Sequence, residues 1–366
     1  MESHEQRRVK EILGHLVHLM EIDPRRDVIE TLIPFWDPKN NVFRFSDFEM
    51  TPTLEEIASF MGKGSSVRGA DLRNKKLIIP KNVNAKKFLE LLKINQIEKE
   101  SLKNGRVSLD FLYERYGQKN GFKNYRNQLS NQGGEEAWKA NGCFSFMIVI
   151  FGLIDFPKWD KHIDIHLAGV VKALTTMESP TIIHMILADM FRALTKCING
   201  EMYFEGCYIL LFTLDWCNYV SSHKEREAKI DFSKGILTCE EKLSLITSDE
   251  IVWNYYWFPA KDVISMSSGI SFLVLIGLRG VQPYAPLRVM RQLVRVQKIP
   301  PNDDMSRFVF DTLPGFAFDS TDILKIWFGS IISELSEMVV EQDKGKVVHG
   351  YLLWFRDPVI FGDIPE

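Results

Sequence analysis

A chain of 366 residues, 45% hydrophobic and 12% aromatic, has the material for one large folded domain or two ordinary ones. Its 45 Lys and Arg against 48 Asp and Glu leave a net charge of -3, which excludes a global positive field, so any contact with nucleic acid or an anionic membrane has to be local. Five cysteines, an odd number with no C-x-x-C pair, fit neither a disulfide framework nor a cysteine zinc site and point to a reducing, intracellular setting.

The first segment, MESHEQRRVKEILGHLVHLM, carries charge throughout and lacks the long apolar core of a secretory signal. Residues 1–29 are expected to form a helical extension. The stretch IPFWDPKNNVFRFSDFEMTPTLEEIASFMG at 33–62 opens with aromatic residues, and VFRF at 42–45 fits a short strand or a packed extended segment. A helix follows. Thr51 caps it with Pro52 at its first position, or Thr53 caps it with Glu56 in the capping-box position. Leu54, Ile57, Ala58 and Met61 then share one face at i, i+3, i+4 and i+7 before Gly62 stops the helix. GKGSSVRG at 62–69 follows a helix rather than a strand, and so reads as a flexible turn.

A second helix is expected at 84–103, with Phe88, Leu91, Leu92 and Leu102 on its apolar side, and a long loop at 117–136, rich in Gly, Asn and Gln. CFSFMIVIFGLI at 143–154 and GISFLVLIGL at 269–278 fall short of the roughly 20 residues that span a bilayer, so buried core segments and no transmembrane segment are expected. Further helices are expected at 166–177, 181–198, 204–222, 268–278, 286–298 and 320–341. IPPNDDMS near residue 300 marks a boundary between a main domain over 30–305 and a C-terminal helical segment over 306–366. The expected fold class is mainly α: a single large helical globular domain with a few short strands in its N-terminal part.

Chemistry-bearing residues fall in three places. In KWDKHIDIHLAG, Asp160, His162, Asp164 and His166 stand at every second position, a spacing that suits a divalent ion on a strand face, while a helix would stack His162 and His166. No zinc-protease pattern or third ligand cluster accompanies them, and a polar turn leading into a capped helix explains them as well. In PYAPLRVMRQLVRVQKIPP at 283–301, a helix would gather Arg288, Arg291, Arg295 and Lys298 within a sector of about 80°, with Val289, Met290, Leu293, Val294 and Val296 opposite. That cationic face, with Arg279 just upstream, suits phosphates or an anionic partner; a solvated face paired with acids is the alternative. A second patch at 103–128 sets six Lys or Arg against two acids among interleaved aromatics, with Arg115, Lys119, Lys123, Tyr125 and Arg126 as candidates for stacking bases and tracking a strand. Nucleophile elbows, phosphate loops and dinucleotide fingerprints are missing from the sequence, and no cofactor is expected.

The order of four blocks, FRFSDFEMTPTLEEIASFMG (43–62), FMIVIFGLID (146–155), IDIHLAGVV (163–171) and RVMRQLVRVQKIPP (288–301), resembles the plant mobile domain, a transposon-associated family once loosely labelled aminotransferase-like. IPFWDP at 33–38 is similar to a retroelement-linked branch of it, and the likeness spans roughly residues 30–305. It implies a nuclear, mobile-element-derived protein without an established active site. No lysine stands in a pyridoxal-phosphate context, so the aminotransferase label finds no support in these residues. The expectation is a non-enzymatic interaction domain contacting nucleic acid or chromatin-associated proteins through the basic helix. The alternatives are a purely protein-binding scaffold and a metal-dependent hydrolase or nuclease around Asp160, His162 and Asp164.

Overall fold

The Thr53 side chain starts the helix Leu54–Met61: the Thr53 N–H donates to Glu56 Oε2 at 2.8 Å and the Glu56 N–H donates back to Thr53 Oγ1 at 3.2 Å, a capping box, which selects Thr53 over Thr51 as the cap. The computed structural model describes residues 4–14, 16–19, 26–61, 68–95, 101–129, 134–160, 162–213, 235–251, 253, 262–293, 295–311, 320–333 and 345–357. Most of the GKGSSVRG turn, Gly62 included, and the last part of the helix expected at 204–222 lie outside these residues. Leu54 and Ile57 are fully buried and Ala58 nearly so, as the apolar stripe requires.

The aromatic block before this helix folds as three short antiparallel strands, Trp36–Asp37, Val42–Arg44 and Glu49–Met50. Trp36 packs against Phe43 and Phe191 and donates its indole N–H to Thr195 Oγ1 at 3.0 Å, so the block is pinned to the central helix Ile183–Ile198. That helix is buried from Ile183 to Leu194 and packs on Leu54–Met61 and on the hairpin Leu273–Ile276 and Gly280–Tyr284. One hydrophobic cluster runs from Val9 to Trp327, so described elements near both ends share the core.

The fold class differs from expectation. The protein is mixed α/β, 51% helix and 17% strand, with small sheets spread along the chain rather than confined to its front. The run expected as a helix at 268–278 is the strand Leu273–Ile276, antiparallel to Gly280–Tyr284 in the register Leu273↔Tyr284 to Ile276↔Val281. Both strands are buried on both faces, and such a run has no period that tells strand from helix. The helix at 320–341 stops at Phe328; Ser330–Ser333 is a strand paired with Val263–Ser267, and the residues after it lie outside those described. The helix at 84–103 ends at Leu92, where Lys93 turns left-handed. Helices at 167–176 and 183–198 form close to their expected bounds.

The largest correction concerns 286–298. Only Pro286–Val289 is helical, as a single 3₁₀ stretch, and turns follow it. Arg288, Arg291 and Arg295 are 6%, 4% and 1% exposed, so there is no amphipathic surface helix and no cationic face. Side chains within the segment occupy its backbone groups: the Arg291 N–H donates to Gln297 Oε1 at 3.3 Å, and Gln297 Nε2 donates to Leu287 O at 2.8 Å. Arg288 forms a bidentate pair with the buried Glu49, with Nε to Oε2 at 2.9 Å and Nη2 to Oε1 at 2.7 Å. The guanidinium of Arg291 lies 4.8 Å from the Trp253 ring and 5.3 Å from that of Tyr351, in the helix Tyr351–Arg356. Gln292 Nε2 donates to Thr51 O at 2.7 Å and to Glu56 Oε1 at 2.9 Å. The segment is therefore tied to residues some 240 positions earlier, and Lys298 alone of the four cations stays exposed.

The apolar run at 143–154 is the end of a longer helix, Gly134–Ile150, continued to Asp155 by a wider turn. By length and composition these 22 residues are enough to cross a membrane, an 18-residue window within them having a mean hydropathy of 1.6. They pack against helices His4–Leu13, Ala85–Leu92 and Leu167–Thr176, and 39% of that window is buried.

Two outcomes follow from the buried network. Arg288→Ala leaves the Glu49 carboxylate buried without its main partner, and chemical denaturation is expected to show a loss of about 3–5 kcal/mol, with less lost when Glu49 and Arg288 are both replaced by Met. Burial raises Glu55 from 4.5 to about 7. A carboxyl raised in the folded state binds the extra proton between about pH 4.5 and 7, so its stability contribution is complete below 4.5 and is lost as pH rises through 7, up to about 3 kcal/mol. Glu55→Gln removes that contribution, and thermal melts of the variant should fall less steeply over this window than those of the parent.

Candidate functional site

The turn Asn104–Gly105 joins the strands Leu102–Lys103 and Arg106–Ser108, with both residues at positive φ, 50° and 72°, as a tight Asn-Gly hairpin turn demands. Gly105 O accepts from the Ile165 N–H at 3.1 Å, which brings the hairpin beside the strand His162–Asp164. A second tight turn, at Leu278–Arg279, closes the buried hairpin with the Gly277 N–H bonded to Gly280 O at 2.7 Å. A Cβ on Gly277 would meet Asp189 Oδ1 at 2.6 Å, so only glycine lets this turn seat against Asp189. The two turns, the loop at 80–82, Lys158 and Trp159, Asp164 and His166, helix residues Arg192 and Lys196, and residues 201–205 surround a cleft of about 470 Å³.

Six cationic side chains line it, Lys81, Arg106, Lys158, Arg192, Lys196 and Arg279, against four carboxylates, Asp164, Glu201, Glu205 and Asp311. Glu205 is their hub. Its Oε2 accepts from Lys158 Nζ at 2.7 Å and lies 3.7 Å from Arg279 and 3.9 Å from Arg192. Burial pushes the Glu205 carboxyl up, but the Lys158 hydrogen bond and these three charges outweigh it and hold it below its ordinary value. Burial, with Arg279 nearby, lowers Lys158. Asp311 takes Arg192 Nε at 2.7 Å and lies 3.7 Å from Lys196 Nζ. Arg279 donates through Nη2 to Phe156 O at 2.5 Å and through Nη1 to Glu205 O at 3.1 Å, and its backbone N–H donates to Asp189 Oδ1 at 3.2 Å. Burial raises Asp189, against the pull of Arg279 and Arg192.

An acid–imidazole pair sits in the same cleft. Asp164 Oδ1 accepts from His166 Nδ1 at 2.6 Å and from the His166 N–H at 2.9 Å, and His166 Nε2 lies 3.4 Å from Asn82 Oδ1. Burial acts to raise Asp164, but the His166 hydrogen bond and charge hold it below its ordinary value. The Asp–x–His–x–Asp–x–His alternation is thus divided. Asp164 and His166 line the cleft, while Asp160 Oδ2 accepts from Arg106 at 2.8 Å and Asp160 O lies 2.9 Å from His162 Nδ1. Among the described residues no group of three or more His, Cys, Asp or Glu is placed to hold a metal ion.

Of the cations named from sequence, Arg279 alone lines this cleft. Arg288, Arg291 and Arg295 lie in the core, and Arg295 donates through Nη1 to Leu293 O at 3.0 Å. In the second patch Arg115 is 1% exposed, 3.7 Å from the Phe111 ring and 4.5 Å from the Tyr125 ring, so it binds that segment together. Tyr125 donates its hydroxyl to Glu114, and Lys119, Lys123 and Arg126 remain exposed. Lys81 and Arg192 stand singly along the chain with no local signal, whereas Arg106 lies within the basic stretch at 103–128 and Lys158 and Trp159 open KWDKHIDIHLAG, without being candidates themselves.

Residues 1–359 match the model of a family described as a domain of unknown function, DUF7745, and the chain belongs to that family. No curated protein and no solved structure matches it.

The Glu205 hub has a pH signature of its own. Its depressed carboxyl contributes stability that is present above the ordinary 4.5 and is lost as pH falls through its folded value. Glu205→Gln should flatten the acid limb of a stability curve taken between pH 3 and 6, and cost about 1–3 kcal/mol at pH 7 because Lys158 keeps its burial but loses its counter-charge.

Proposed function

We propose that this DUF7745 chain is a non-enzymatic interaction domain that holds nucleic acid in the cleft between the turns at 104–105 and 278–279. The observation that carries this reading is the convergence of six cationic side chains from separate stretches on one cleft, against four lining carboxylates and the Asp160 bonded to Arg106. Lys81 among them is exposed and has no carboxylate partner among the described residues. A phosphate supplies the negative partner that Lys81 lacks, and does so locally, as an overall charge of -3 requires. The resemblance to the plant mobile domain supports a nuclear setting and a mobile-element origin for this interaction. The buried arginines at 288–295 are core residues in this reading, and the cleft takes over the role first expected of them.

Fluorescence anisotropy with labelled oligonucleotides at several salt concentrations tests it. Lys81→Glu with Lys196→Glu, both at the cleft, should weaken binding at low salt and reduce the salt slope by about 1–2, the contribution of two phosphate contacts. Lys298→Glu, away from it, should change neither. Unchanged binding in the cleft variant, or loss in Lys298→Glu alone, contradicts the proposal.

A further inference from the structure

Trp159 sits at the cleft with 69% of its surface exposed, whereas Trp36, Trp253, Trp327 and Trp354 are each 5% exposed or less. It makes no hydrogen bond, ring contact or cation contact with the described residues. Of the large apolar side chains exposed among the described residues, Trp159 is the one that lines the cleft. The backbone around it is held on both sides. Before it, the Phe156 and Pro157 carbonyls accept from Arg279 at 2.5 and 3.5 Å, and Lys158 is bonded to Glu205. After it, Asp160 is bonded to Arg106 at 2.8 Å and accepts the His162 N–H at 3.2 Å. The residues on either side of the exposed ring are therefore bonded to neighbours, and three of the groups involved, Arg279, Lys158 and Arg106, are themselves cleft cations.

Resting on the reading above, we propose that Trp159 is a stacking platform for one unpaired base, which makes the ligand of the cleft a single-stranded nucleic acid rather than a duplex. In a duplex each base has both faces covered by its neighbours; a single strand offers a free face to an aromatic ring while cations flanking that ring meet the phosphates on either side. Lys81, exposed and without a carboxylate partner among the described residues, and Lys196 line the same cleft as the ring, so a stacking face and phosphate contacts share one site. The polar groups that share the cleft, His166 Nε2 and the amides of Asn82 and Asn104, supply donors and acceptors for a base edge or a 2′-hydroxyl. A volume of about 470 Å³ lies within the range of small-ligand pockets, which suits one nucleotide unit of a longer strand.

The full chain would be titrated by anisotropy with a labelled 12-nucleotide oligo(dT), the equivalent oligo(U) and a blunt duplex of the same length, using the parent, Trp159→Ala, Trp159→Phe and the Lys81→Glu, Lys196→Glu variant. The parent is expected to bind the single strands at least tenfold more tightly than the duplex. Trp159→Ala should lose tenfold or more on single strands with an unchanged salt slope, and Trp159→Phe should recover most of that loss. Circular dichroism checks that each variant is folded, which an exposed side chain should permit. If Trp159→Ala binds single strands as the parent does while the lysine variant is weakened, the stacking inference is overturned and the electrostatic reading stands. If the parent binds no oligonucleotide, both fall; if the duplex binds as tightly as the single strand, the stacking inference alone falls.

Discussion

The buried pair between Glu49 and Arg288 is the constraint around which the rest is arranged. It joins a strand of the aromatic block to the segment after the buried hairpin, 239 residues apart, and Gln292 adds bonds to Thr51 and Glu56 within a few residues of it. Two opposite charges taken out of water are tolerated only where the geometry is good and further hydrogen bonds surround them. Here the pair is bidentate, Arg44 stands 3.4 Å from the same carboxylate, and the Trp354 ring lies 5.2 Å from the guanidinium. Burial nevertheless raises the Glu49 carboxyl, which marks how far the site departs from water.

From that anchor the hairpin Leu273–Tyr284 runs to the cleft. Asn41 Nδ2 donates to Pro283 O at 2.9 Å, fixing the end of the second strand beside the Glu49 pair. At the other end the turn seats against Asp189, and Arg279 reaches from it to Phe156 and Glu205. A strand pair buried on both faces transmits position along its length with little freedom, because neither face can shift without disturbing packed neighbours. The core network thereby places one wall of the cleft. The helix Ile183–Ile198 places another, since it packs on the same hairpin and carries Arg192 and Lys196 toward the open side.

What could be read locally was read well where the period is strong. The stripe of Leu54, Ile57, Ala58 and Met61 and the Thr53–Glu56 box announce their helix because every partner lies within one or two turns. The run at 273–276 could not be assigned by period, since uniform burial erases the alternation that identifies a half-buried strand. At 286–298 the arginines share one side only on a helix that does not form, and their partners, Glu49, Trp253 and Tyr351, lie far away in the chain. The slight excess of acids over bases was the available warning that such cations had carboxylates to meet. The cleft was less legible still. Its residues are mostly single positions drawn together by two tight turns, and among them only Arg279, Asp164 and His166 are candidates from sequence.

The core arginines are structural, and we propose that an anionic ligand meets the cleft instead. Hydrogen exchange followed by mass spectrometry, with and without a saturating single-stranded oligonucleotide, tests this most directly. The account predicts added protection in peptides covering 80–82, 104–106, 158–166 and 277–279, with the segment 286–298 already slow and unchanged. Protection that appears in 286–298 and leaves the cleft peptides untouched would contradict it.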